Sequence, residues 1–151
     1  MTRSTSVKDQ DVLEYGHNIT LEQAKVVMAA AEAEAVDNQW PSAIAIVDTG
    51  ARLVMFQKMD HTQIGSILVA QQKAETAVSF KRPSKVFEDA IAQGGMRLRT
   101  LGMSNVIPLE GGLLLLVDGK IVGAIGASGV QSQQDAQVAQ AGVSALLALD
   151  A

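Results

Sequence analysis

The segment that most constrains this chain runs from Leu113 to Ala127: two apolar runs, Leu113 to Val117 and Lys120 to Ala127, joined by Asp118-Gly119. Asp-Gly between apolar runs is a strong hairpin signal, because the favoured two-residue turn needs positive φ at both central positions. Pro108-Leu109-Glu110-Gly111-Gly112 stands directly before the hairpin. This puts a lone carboxylate at the mouth of a buried element, where an unpaired charge is costly. The two glycines let a backbone or a ligand approach closely. The plainer account is that Glu110 caps a helix or pairs with an arginine and that the glycines only turn the chain.

The rest of the chain supplies partners for that hairpin. Residues 1–18 are mixed and polar, and read as a loose arm or edge element; residues 19–151 read as a single domain. Thr20-Leu21-Glu22-Gln23 is a capping box, and the helix after it ends at Trp40-Pro41. Ala43 to Val47 reads as a buried strand, with a return strand from Leu53 to Lys58 after the Asp48–Ala51 turn. Ile64 to Lys81 reads as a helix stopped by Pro83, and Ser84 is expected to cap a short helix through Ile91. Residues 96–107 fit either a helical turn or a loop. Ser132 to Asp135 has the capping-box pattern and opens a last helix. Two hairpins separated by helices indicate an α+β fold, with helices packed on an antiparallel sheet.

Composition removes several functions. The 151 residues suit one domain with an adequate core. No cysteine is present, which excludes disulfides and thiolate chemistry. A net charge of -4 and 3% aromatic residues argue against a nucleic-acid surface. The first twenty residues hold no apolar core of signal-peptide length, and no apolar run is long enough to span a bilayer. A soluble, cytoplasmic protein is expected. No His, Asp and Glu spacing suggests a metal site, and the glycines at 123, 126 and 129 do not match a dinucleotide fingerprint.

Several residues remain as candidates for chemistry. His61 follows Met59-Asp60 in the loop after the first hairpin, and imidazole can ligate haem iron or move protons; a solvated loop histidine is the plainer reading. His17 lies in the polar arm and reads as a surface residue. Lys73 lies beside an apolar helix stripe and is a candidate for a ligand carboxylate, or snorkels from the helix edge. Arg82 belongs to a set of five cations between Lys81 and Arg99 that suits an anion. Asp48 ends a strand at a turn, where aspartate commonly bonds its own backbone. Asp135 reads as a helix-cap residue. Ser128 and Gly129 place backbone N–H groups at the start of the last helix, where an anion is stabilised.

The segments IAIVDTGARLVMFQKMD, AQQKAETAVSFKRPS, IPLEGG, VDGKIVGAIGASG and QDAQVAQAG, in this order and spacing, resemble the GlcG/HbpS-like family over about residues 20–150. The resemblance implies a profilin-like fold with a five-stranded antiparallel sheet flanked by helices; four strands are read above, and residues 104–108 are the candidate for the fifth. It also implies a homo-oligomer. Some members bind haem; others accompany corrinoid enzymes or small-organic-acid catabolism.

Three functions follow as expectations. The first is binding of a small anionic ligand, with haem the leading candidate, in an apolar pocket near Glu110 to Leu113 with His61 or a methionine on the iron. The second is catabolism of a small organic acid. There Glu110 is general base, Lys73 or Arg82 binds substrate, and Gly111 and Gly112 stabilise an oxyanion. The third is an oligomeric accessory protein without a ligand.

Overall fold

The computed structural model describes residues 13–149. Residues 1–12 of the polar arm lie outside that range. Four strands form one antiparallel sheet: β1 (Ala43–Val47), β2 (Leu53–Lys58), β3 (Gly112–Val117) and β4 (Lys120–Ser128), in spatial order β2-β1-β4-β3. Both hairpins are present. The second turns at Asp118 and Gly119 with φ of 52° and 73°, the left-handed pair that an Asp-Gly turn supplies.

Helices cover both faces. On one face lie α1 (Leu21–Asn38) and α4 (Ser132–Leu149); Val27, Ala31, Val138, Ala139 and Leu146 pack there on Ile44, Ile46, Leu115 and Ile125. On the other lies α2 (Ser66–Phe80), whose Ala74, Ala77 and Val78 meet Val47, Ile121 and Ala124. Small residues set the spacing of α2 from the sheet. A Cβ on Gly126 would stand 2.0 Å from the Ala70 carbonyl oxygen, so this helix rests its backbone on β4. Two further helical pieces, α3 (Lys85–Gln93) and a 3₁₀ helix (Gly95–Gly102), connect α2 to β3.

The expected fifth strand is absent from the described residues. Residues 104–108 form a loop beside α2, with the Ile107 N–H donating to Thr76 Oγ1 at 2.9 Å, and Pro108 has no N–H to offer a ladder. The edge of β4 is instead extended by the segment before α1. Beyond Val47 the β1 side of β4 is open, and Gly16 and Ile19 donate there to the carbonyls of Ile121 and Val122 at 2.7 and 2.9 Å. Thr20 caps α1 with both halves of its capping box formed.

The strand registers define two ends of the sheet. Ala43 stands opposite both Lys58 and Ser128, and Gly112 opposite Gly126. The Glu110-Gly111-Gly112 run, Ser128 and the loop after β2 therefore share one end, while Asp48 and the Asp118-Gly119 turn share the other.

Candidate functional site

Lys73 is the centre of the first end. It lies on the α2 stripe between Ala70 and Ala77 and is 2% exposed, the largest of the fully buried side chains. Its ammonium donates to the Ala127 carbonyl at 2.9 Å and to Asp135 Oδ2 at 3.0 Å, and Asp135 is as buried as its partner. The other oxygen of Asp135 accepts the Val130 N–H at 3.1 Å. Burial pushes the Asp135 carboxyl above its ordinary range, more strongly than Lys73 and the Val130 and Gly129 amides pull it down.

The two glycines are shaped by this lysine. Gly111 has φ of 136°, and a Cβ there would stand 2.8 Å from Lys73 Nζ. A Cβ on Gly112 would stand 2.1 Å from the Lys73 carbonyl oxygen. Ser84 completes the arrangement: its hydroxyl donates to the Leu109 carbonyl at 2.6 Å and accepts the Gly112 N–H at 2.9 Å, and its own N–H donates to the Gly112 carbonyl at 3.0 Å. The buried cluster thus ties α2, β3, β4 and α4 together at one point.

This geometry corrects several expectations. The ammonium of Lys73 is engaged inside the protein and is not presented to a ligand. The Gly112 N–H belongs to Ser84, so it is not an oxyanion donor. The anion at the start of α4 is the chain's own Asp135, and Ser128, 5% exposed, donates its hydroxyl to Ser66 Oγ at 3.0 Å. Glu110 is half-buried at the protein surface rather than enclosed by apolar side chains; its N–H meets Glu88 Oε1 at 3.3 Å, and Lys85 lies in its field. Asp48 sits at the far end of the sheet and accepts the N–H groups of Gly50 and Arg52 at 2.8 and 3.0 Å, a turn-forming role. Arg82 follows α2, its Nε donating to the Phe80 carbonyl at 2.8 Å. His61 is exposed in the turn after β2 with φ of 69°. Of the residues singled out in the sequence, Lys73, Gly111, Gly112 and Ser128 converge on one end, while Asp48 stands apart.

Two clefts stand out among the described residues, and neither is lined by Glu110 to Leu113 or by His61. The larger is an open groove of about 490 Å³, lined by Tyr15, Gly16, His17, Val117, Asp118, Lys120 and Val122. Tyr15 is held as a wall: its hydroxyl donates to the Val78 carbonyl at 2.6 Å, and the Lys81 ammonium lies 5.0 Å from its ring centroid. The smaller, about 60 Å³, lies between Thr76 on α2 and residues 104–107.

The family described as haem-degrading protein HbpS-like matches residues 19–144. This chain belongs to the HbpS-like family. Protein GlcG of Escherichia coli K12 is 35% identical over 110 residues, covering 73% of this chain and 81% of GlcG. Among solved structures, protein ORFY of Klebsiella pneumoniae superposes with a TM-score of 0.82 at 26% identity, covering 98% of this chain and 97% of ORFY. PduOC in complex with heme superposes at 0.77 and 27% identity, covering 85% of this chain and 94% of PduOC.

Within this HbpS-like chain, sequence reasoning missed three residues. Asp135 reads as an ordinary helix-cap carboxylate, yet it is the partner of a buried lysine. Ser84 reads as an N-cap, yet it makes no capping bond and instead anchors the strand edge. His17 reads as a surface residue of the arm, yet it lines the large groove. The available signal was Lys73 itself, a charge at a stripe position among alanines, which demands a buried partner of opposite sign.

Proposed function

We propose that this protein binds a small planar anionic ligand, with haem the leading candidate, in the groove between the Tyr15–His17 segment and the second hairpin. The observation that carries the reading is an imidazole, His17, on the wall of a groove of about 490 Å³. Small-molecule sites span roughly 300–1,000 Å³, so the volume suits such a ligand. The lining fits haem in kind. Val117, Val122 and the Tyr15 ring would supply apolar surface, His17 a nitrogen for the iron, and Lys120 a cation for a propionate. Among the described residues Lys120 pairs at 3.8 Å with exposed Glu14, a pair weak enough to exchange for a ligand carboxylate. The chemistry brought by bound haem is that of its iron; these residues hold and orient it. The likeness to PduOC, solved with heme, supports the same choice. Tyr15, Gly16 and His17 precede residues 19–144, so this wall is a feature of the chain's own geometry rather than of the family match.

Hemin titration followed from 350 to 650 nm tests the reading. A saturable, shifted Soret band near one equivalent is expected, lost or displaced in His17→Ala and unchanged in His61→Ala. A non-saturating response, or a His17→Ala spectrum identical to the parent, refutes it.

A further inference from the structure

Lys81 stands where helix chemistry disfavours it. It closes α2 in the left-handed conformation, with φ of 56° and ψ of 36°, where a helix ordinarily carries glycine because a Cβ is strained there. What the side chain holds offsets that strain. Its ammonium donates to the Leu13 carbonyl at 2.7 Å and lies 5.0 Å from the centroid of the Tyr15 ring. It takes part in no ion pair among the described residues. Lys81 therefore leaves the set of cations expected to bind an anion, because its charge faces the chain itself.

The segment that Lys81 holds carries His17, and it has two fixings. At the rear, Asn18 Oδ1 accepts the Thr49 N–H and hydroxyl at 3.0 and 2.5 Å, and the Ile19 N–H donates to the Val122 carbonyl just before α1 begins. At the front, the Tyr15 hydroxyl reaches the Val78 carbonyl, Leu13 packs on the cluster of Val47, Val78 and Ile121, and Lys81 clasps both residues. Between the fixings the Gly16 N–H donates to the Ile121 carbonyl. The His17 imidazole is exposed and makes no hydrogen bond among the described residues. Its direction is therefore set by the backbone on either side of it and not by a partner of its own.

We infer that Lys81 is the positioning residue of the groove: it does not line the groove, but it fixes Leu13 and Tyr15 at the end of α2 and so holds the His17 imidazole in place for the ligand. The inference rests on the haem reading for its ligand and on the contacts above for its geometry. Releasing the front fixing lets the wall leave its place, and affinity falls with the fraction of molecules whose wall is set. The bound state itself is unchanged, because the ligand still meets His17. Weaker binding at an unaltered spectrum is thus the mark of Lys81, whereas loss of His17 alters the spectrum.

The test uses the full chain with Lys81→Gly and Lys81→Arg. Glycine removes the ammonium yet suits the left-handed cap, so the end of α2 is not weakened. Arginine keeps the charge, the donor and the ring contact. In a hemin titration Lys81→Gly is expected to show a Kd about tenfold or more above the parent, from the joint loss of a charge-assisted hydrogen bond and a cation–π contact. Its saturated Soret band stays at the parent wavelength, its Tm stays near that of the parent, and Lys81→Arg recovers most of the affinity. Amide hydrogen exchange read by NMR is faster at Gly16 in Lys81→Gly and unchanged at Ile46 in β1. Parent affinity or a displaced Soret band in Lys81→Gly overturns the inference, as does a Lys81→Arg protein that binds as weakly as Lys81→Gly. A parent that binds no hemin refutes the haem reading instead, and exchange then decides on Lys81: faster exchange at Gly16 sustains its role, and unchanged exchange overturns it.

Discussion

Replacing Lys73 by Met keeps the length of the side chain and removes its charge, leaving the Asp135 carboxylate buried with only backbone amides for company. Breaking a buried pair from one side costs about 3–5 kcal/mol. For a domain of this size each kcal/mol moves the Tm by about 2–4 °C, so a fall of about 6–20 °C is expected. The double variant K73M/D135N has no buried charge, and the amide oxygen it places at position 135 can still accept the Val130 N–H. Its cost should fall to about 1–2 kcal/mol, mainly the lost bond to the Ala127 carbonyl. Urea unfolding followed by circular dichroism gives the cycle. Lys73→Met losing less than about 1 kcal/mol, the value of a surface pair, refutes the reasoning, as does a double variant no better than the single. A Lys73→Met protein that does not fold beside a double variant that does leads to the same conclusion. The pH dependence has a definite sign. The folded pKa of Asp135 is raised above its ordinary 3.8, so its contribution is fully present below that value and is lost as pH rises through the folded pKa. Without Lys73 the folded pKa rises further. The deficit of Lys73→Met should therefore be smallest near pH 4 and grow toward neutrality; a deficit that grows toward acid contradicts the assignment.

Three further substitutions separate packing from backbone strain and from capping. Gly112→Ala drives a methyl into the Lys73 carbonyl and should cost at least about 3 kcal/mol, whereas Gly119→Ala, strained in φ but open in space, should cost about 1–2 kcal/mol; equal losses in thermal unfolding would show that the Lys73 backbone does not dictate Gly112. Ser84→Ala strands the Gly112 N–H and the Leu109 carbonyl and should cost about 2–4 kcal/mol with faster hydrogen exchange at Gly112; a loss near the ~1 kcal/mol of a helix cap with unchanged exchange counts against it.

Both hairpins and the main helices were legible in the sequence because each rests on local rules: an Asp-Gly turn, a capping box, an apolar stripe stopped by proline. The fifth strand was not. Whether residues 104–108 pair depends on what lies beside them, and Thr76, far away in sequence, takes the Ile107 N–H. The same limit explains the site. Lys73, the two glycines and the amides before α4 carry every local mark of anion recognition, and the structure shows an anion among them. It is Asp135, 62 residues from Lys73. A sequence shows that a site is built for a carboxylate; only the fold shows whether the carboxylate comes from a ligand or from the chain. The cluster therefore accounts for Gly111 and Gly112 as architecture. The ligand site proposed above is accordingly sought at the opposite end of the sheet, where His17 and Lys120 line the groove.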